Sequence, residues 1–272
     1  MVVKKKLTFV INDRGLLANR EIHPQPIKEY IPEWYKNIKI GKSEHTSLFK
    51  LLDKSNNNIK SCPSFNEIYQ DGFVILAPND YILAYDKDTK AWSWQTPISY
   101  NKGEYNTTYE DVDMHKNTEM IDYIPTNKYK TVFKLNLPMK VVTPKGYSIR
   151  VLPIPYSFNS DYEAVYGILR ADKFHEMNIQ IFYKSNKKEI LIKKGEPLCV
   201  YAPFKREKFT AAIVDGRKNN KLINRVLVNQ HNGYAEFGKR QKHINYYKWC
   251  YNRIMDFIFG FFVGYLCKEI VS

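Results

Sequence analysis

The stretch Met177-Asn178-Ile179-Gln180-Ile181-Phe182-Tyr183 decides how this chain folds. Apolar and polar side chains alternate with a period of two, which is the pattern of a strand whose successive residues point to opposite faces of a sheet. Working outward, Val132-Phe133-Lys134-Leu135-Asn136-Leu137 and Tyr147-Ser148-Ile149-Arg150-Val151-Leu152 alternate in the same way, each bounded by Pro or Gly. On the other side, Glu189-Ile190-Leu191-Ile192-Lys193-Lys194-Gly195-Glu196-Pro197-Leu198-Cys199-Val200-Tyr201 reads as strand, tight turn and strand. No strand alternates with a long amphipathic helix, which argues against a parallel α/β sheet and for half-buried antiparallel strands.

Toward the amino terminus, Gly72-Phe73-Val74-Ile75-Leu76-Ala77, Tyr81-Ile82-Leu83-Ala84-Tyr85 and Ala91-Trp92-Ser93-Trp94 are short apolar runs. Pro78-Asn79-Asp80 and Asp86-Lys87-Asp88-Thr89 separate them with turn chemistry, so the segment reads as a three-strand meander. Residues 97–128 are polar and expected to be mostly loop. The prolines of His23-Pro24-Gln25-Pro26 and Ile31-Pro32 exclude a long helix and predict an extended arm laid over something else, with one helical turn at 48–52. The chain thus divides into an N-terminal arm (1–60), a β-meander and loop (61–130), a strand-rich core (131–209), and a basic segment closed by an apolar C-terminal helix (210–272).

A chain of 272 residues is long enough for one elaborated β-domain or two modest lobes. Its 44% apolar content, with 21 Tyr and 15 Phe, exceeds what a disordered chain carries and favours strands. Cys62, Cys199, Cys250 and Cys267 are widely spread, with no C-x-x-C pair, so neither a zinc site nor a disulfide scaffold is expected. The apolar run at 7–11 is too short for the core of a signal peptide, which predicts reduced thiols and a cytoplasmic protein.

Against 28 Asp and Glu stand 42 Lys and Arg, a net charge of +14 that suits nucleic acid, anionic lipid or an acidic protein surface alike. Part of the Lys excess also matches AT-rich codon use. Residues 205–253 hold 12 Lys or Arg against 3 acids, interleaved with aromatics such as Tyr246, Trp249 and Tyr251. Such a stretch either neutralises phosphates with salt-sensitive binding or is simply a solvated face. It leads into Phe257-Ile258-Phe259-Gly260-Phe261-Phe262-Val263-Gly264-Tyr265-Leu266-Cys267. That uncharged run is short of the roughly 20 apolar residues a membrane span needs. Phe257, Phe261, Phe262 and Tyr265 are its contact candidates, in a helix read as packed or oligomer-forming, as lying in a membrane interface, or as a short anchor.

Within 137–203, Val141-Val142-Thr143-Pro144-Lys145-Gly146-Tyr147 is followed by Gly167-Ile168-Leu169-Arg170-Ala171-Asp172-Lys173-Phe174 and then by Ile192-Lys193-Lys194-Gly195-Glu196-Pro197-Leu198. In order and spacing these pieces resemble the strand opening, the Gly-hydrophobic-Ile-Asp turn and the Gly-containing hairpin of the trimeric dUTP pyrophosphatase family. The resemblance implies a mainly β protein with an antiparallel β-clip-like domain, assembled as a trimer. It fails where that family does its chemistry. Arg170 stands in place of the aspartate that activates water, and Pro153-Ile154-Pro155-Tyr156-Ser157-Phe158 replaces the phosphate-binding Arg-Ser-Gly loop. A guanidinium stays protonated at neutral pH and cannot serve as a general base. The whole chain, through Ile31-Pro32-Glu33-Trp34-Tyr35-Lys36, Cys62-Pro63, Thr143-Pro144-Lys145-Gly146-Tyr147-Ser148 and Pro203-Phe204-Lys205-Arg206-Glu207, also resembles a family of uncharacterised tailed-phage proteins.

Other constellations carry less. Asp111-x-Asp113-x-His115 offers two carboxylates and an imidazole, but lacks the Gly and distal Glu of a calcium loop and reads better as a solvated acidic loop. His175 and Glu176 are adjacent, and neighbours on a strand point apart. Cys199 sits in an apolar strand, where a thiol behaves as a small hydrophobe. Trp92, Trp94 and Tyr100 suit a core or subunit interface better than a stacking platform.

The expectation is a non-enzymatic phage structural or interaction protein without cofactor or metal, found in host cytoplasm or virion. Its expected partners are copies of itself, other phage structural proteins, nucleic acid through the basic C-terminal segment, and membrane through the terminal helix. The alternative is a nucleotide or nucleic-acid binder with a degenerate pocket, in which Arg170, Lys173, Lys205 and Arg206 contact phosphate. A third class, a hydrolase, requires metal at 111–115.

Overall fold

The structure, a computed structural model, describes residues 5–38, 59, 63–100, 110–125, 127–215 and 218. Its strands are β1 (Thr8–Ile11), β2 (Gln25–Pro26), β3 (Phe73–Leu76), β4 (Tyr81–Tyr85), β5 (Trp92–Gln95), β6 (Val112–His115), β7 (Thr131–Val142), β8 (Tyr147–Leu152), β9 (Tyr162–Ala164), β10 (Gly167–Leu169), β11 (Glu176–Tyr183), β12 (Glu189–Ile192) and β13 (Pro197–Lys205). Among the described residues, helix is confined to short pieces such as Arg14–Ala18, Glu33–Lys36 and Pro63–Glu67. The protein is mainly β, and its paired strands are antiparallel.

β7 and β11 form a spine, in register from Thr131↔Tyr183 to Asn136↔Asn178, after which the register shifts and Glu176 pairs with Lys140. The period-two pattern sets their inner faces. Phe133, Leu135, Leu137, Met139 and Val141 of β7, with Ile179, Ile181 and Tyr183 of β11, lie in the main core. β1 and β6 flank β7, and β9 flanks β11, completing the first sheet. The second sheet runs β10-β8-β13-β3-β2 and the third β12-β4-β5. Ile75, Ile149, Cys199 and Tyr201 from the second, and Tyr81, Leu83, Ile190 and Ile192 from the third, enter the same core.

β3 shows why its sequence does not alternate. Ile75 faces the main core, while Val74 and Leu76 face a second cluster of Ile27, Tyr35, Phe65 and Tyr69. Both faces are covered, so all three side chains are fully buried and the strand reads as an unbroken apolar run. At roughly 1.5–3 kcal/mol for each fully buried aliphatic side chain, this strand is a principal source of stability.

Several local expectations need correction. Of the expected three-strand meander only β4 and β5 pair; β3 belongs to the second sheet. Pro78-Asn79-Asp80 makes a bend rather than a reversal, and the connection at 193–196 bends beside it. Ala77 N donates to Glu196 O and Gly195 N to Ala77 O, both at 2.8 Å, and Lys194 N donates to the Asp80 carboxylate at 2.7 Å. Gly195 supplies the left-handed φ of +83° that this bend needs. β3–β4 and β13–β12 thus form one two-stranded ribbon that changes sheet midway, so β12 and β13 are not a hairpin either. The expected loop at 97–128 contains a strand, β6, which pairs with β7. Its Val112 is buried and Asp113 exposed, but the alternation is too brief to stand out among charged neighbours.

The chain splits into two compact units, Met1–Lys208 and Phe209–Ser272. In the second, only 209–215 and 218 are described. The helical turn at 48–52 and the C-terminal helix both lie outside the described residues.

Candidate functional site

Three segments meet at the turn end of the second sheet. The first is the bend after β7, where Tyr147 N donates to Pro144 O at 3.1 Å and Gly146 takes a φ of +85°. The second is the turn after β10, where Lys173 N and Phe174 N both donate to Arg170 O at 2.9 Å. The third is the end of β13. Thr143 N donates to Ala171 O at 3.1 Å and Arg206 N to Gly146 O at 2.9 Å, tying the three together.

Asp172 is the carboxylate of this junction, and its side chain is only 5% exposed. Arg206 grips it with both terminal nitrogens, Nη1 lying 2.9 Å from Oδ1 and Nη2 donating to Oδ2. Gly146 N donates to Oδ2 at 3.0 Å. Arg206 Nη1 also donates to Tyr147 O and to Ser148 Oγ, each at 2.7 Å. The guanidinium first, and the Gly146 N–H second, hold the Asp172 carboxyl well below the usual range. A carboxylate so held does not accept a proton near neutral pH, and it acts as a clasp between strands.

The four cations expected to contact phosphate are not equivalent. Arg206, expected to be available, is bound to Asp172, and Lys205 pairs with Glu207. Arg170 and Lys173 are exposed in the turn after β10. The structure therefore brings Arg170, Lys173 and Arg206 to one junction and engages Arg206 there. Nothing local in the sequence announces this pair, whose members lie 34 residues apart. Phe257, Phe261, Phe262 and Tyr265 lie outside the described residues, as does nearly all of the basic stretch beyond 215.

The remaining constellations are structural in their contacts. Asp113 accepts from Met114 N at 2.7 Å, and His115 Nδ1 lies 2.8 Å from Glu119 Oε2. Among the described residues, no three His, Cys, Asp or Glu side chains gather as metal ligands. His175 Nδ1 lies 3.2 Å from Val141 O and so links the turn to β7. Burial pushes the Cys199 thiol far up, which makes it a poor nucleophile. Trp94 and Tyr100 pack against the main core, and the half-exposed Trp92 ring meets Phe133 edge-on at 6.1 Å. Among the described residues no helix is long and apolar enough to cross a membrane.

The loop at 153–158 holds a feature that the sequence did not announce. Tyr156 and Phe158 both adopt positive φ, 53° and 51°, at a cost of roughly 1–2 kcal/mol each for non-glycine residues. The strain places their rings against Trp34, at 6.2 and 5.8 Å, and Trp34 Nε1 donates to Tyr156 O at 3.4 Å. No protein-family profile matches the chain, and no curated protein matches it.

Proposed function

We propose that this chain is a non-enzymatic structural or interaction protein of a tailed phage, built on a β-clip-like antiparallel domain that assembles with copies of itself. The observation that carries the reading is the turn at 167–174. Its residue 170 is an exposed guanidinium, and its carboxylate, Asp172, is closed off by Arg206 and Gly146. At the position where the resembled family carries its water-activating aspartate, this turn offers a cation instead. The ribbon that changes sheet between β3 and β4 supports the clip reading.

Self-association is supported at the edge of the second sheet. Among the described residues β10 is an edge strand, and Tyr166, Ile168 and Phe174 around it are 70%, 66% and 65% exposed. Apolar side chains beside an unpaired strand edge are what an association surface requires. A trimer is the stoichiometry that the resemblance implies. Sedimentation equilibrium tests this: the expected result is a mass that rises with concentration toward three chains, and a strict monomer at high concentration overturns it. Co-purification with assembled particles separates a virion component from an assembly factor.

A further inference from the structure

A cleft of about 160 Å³ opens at the end of the third sheet, between the turn that follows β4 and the connection that precedes β12. Lys87, Lys130, Lys187 and Lys188 line it, against Asp86 and Asp88, which leaves a net excess of two positive charges. The walls are pinned by hydrogen bonds. Asp86 Oδ1 accepts from the backbone N–H groups of Asp88 at 2.8 Å and Thr89 at 3.1 Å. Tyr85 N donates to Lys188 O at 2.9 Å, Lys130 N to Tyr183 O at 2.8 Å, and Tyr183 Oη to Lys187 O at 2.8 Å.

Those bonds fix the backbone of the walls, and charged side chains line the space between them. Asp86 has its oxygen turned to backbone N–H groups, and Lys187 is paired with Asp161 at 3.0 Å. Lys130 Nζ donates to a neutral carbonyl, that of Asn127, at 2.8 Å. Among the described residues, the ammonium groups of Lys87 and Lys188 make no hydrogen bond and no close ion pair, although Lys188, after the backbone N–H groups of Thr89 and Asp88, helps to hold the Asp86 carboxyl below its usual range.

We propose that this cleft binds a compact, multiply charged oxyanion of the phosphate class through Lys87, Lys130 and Lys188. The volume lies below the roughly 300–1,000 Å³ of sites that enclose a drug-sized ligand. A phosphate enters, and whatever carries it stays outside. The lining contains no Arg and presents ammonium point charges, which bind the several oxygens of a phosphate without requiring one fixed planar geometry. Walls already fixed by backbone bonds lower the ordering cost of binding. The site lies away from Arg170 and Lys173 and is independent of the structural role proposed above.

Titration calorimetry on the full chain tests it, with inorganic phosphate, a nucleoside monophosphate and a short oligothymidylate as probes. Inorganic phosphate is expected to saturate at one per chain. Lys87→Ala/Lys188→Ala should weaken it by about tenfold or more, the loss expected for charge-assisted contacts. Lys87→Gln/Lys188→Gln, which keeps the aliphatic stems, should do the same, while Arg170→Ala/Lys173→Ala should leave it unchanged. Tighter oligothymidylate binding that falls with salt and is lost in the Lys variants identifies a nucleic-acid backbone as the source, and equal affinity for all probes identifies a free anion. Failure of inorganic phosphate to saturate overturns the proposal, as does loss of binding in the Arg170/Lys173 variant with the Lys variants unaffected.

Discussion

The junction around Asp172 and the cleft around Lys188 are both built on turns at sheet ends, both are rich in cations, and they use those cations in opposite ways. At the junction, Arg206 is directed inward to a carboxylate, a carbonyl and a hydroxyl, so its charge holds strands together. At the cleft, backbone groups hold the walls, and among the described residues the ammonium groups of Lys87 and Lys188 line it without a hydrogen bond or close ion pair. Net charge alone therefore says little about where an anion binds. The informative quantity is which cations remain once internal acceptors are satisfied.

The largest expected effect breaks the junction. Asp172→Asn removes the anion from a pair whose carboxylate is nearly buried and whose guanidinium is partly exposed, leaving Arg206 facing a neutral amide, and the melting temperature should fall by roughly 5 °C. A thermal scan showing no change would mean that the pair is not a clasp. Gly146→Ala is gentler: a Cβ meets nothing within 4 Å, but the φ of +85° disfavours it. Chemical denaturation should show a loss of about 1–2 kcal/mol.

Acid sharpens the same contrast. The folded pKa of Asp172 is depressed, so its contribution is complete above the ordinary carboxylate value and disappears as pH falls through the folded one. The stability gap between the native chain and Asp172→Asn should stay constant from neutral pH to about 5 and narrow below about 4. At the cleft the expectation is almost nothing: Lys87→Ala/Lys188→Ala should alter folding stability by less than about 0.5 kcal/mol. A larger loss would show that these lysines hold structure, as Arg206 does.

How much of this was legible follows from the range of each interaction. The alternation in 177–183 and 132–137 identified β11 and β7, because burial of one sheet face is written locally with period two. The unbroken run of β3 was recognisable as strand but not as a partner of β13, since Pro78-Asn79-Asp80 has the chemistry of a hairpin turn and of a sheet-changing bend alike. β6 is hidden in the sequence because the polar Asp111, Asp113 and His115 outweigh the apolar Val112 and Met114. At the junction, the absence of a base at Arg170 was readable from one residue. The engagement of Arg206 was not, because it depends on the turn after β10 meeting the end of β13. The cleft was invisible for the same reason: Lys87, Lys130 and Lys188 come from separate connections that only the third sheet and the β7–β11 spine bring together.

The most direct test is nucleoside triphosphate turnover, followed as pyrophosphate or phosphate release from dUTP and the common nucleotides by the purified full-length chain. With Arg170 in the turn and Asp172 closed by Arg206, release should not exceed the protein-free rate. Release above that rate which disappears in Asp172→Asn would show the carboxylate to be a working base and contradict the account.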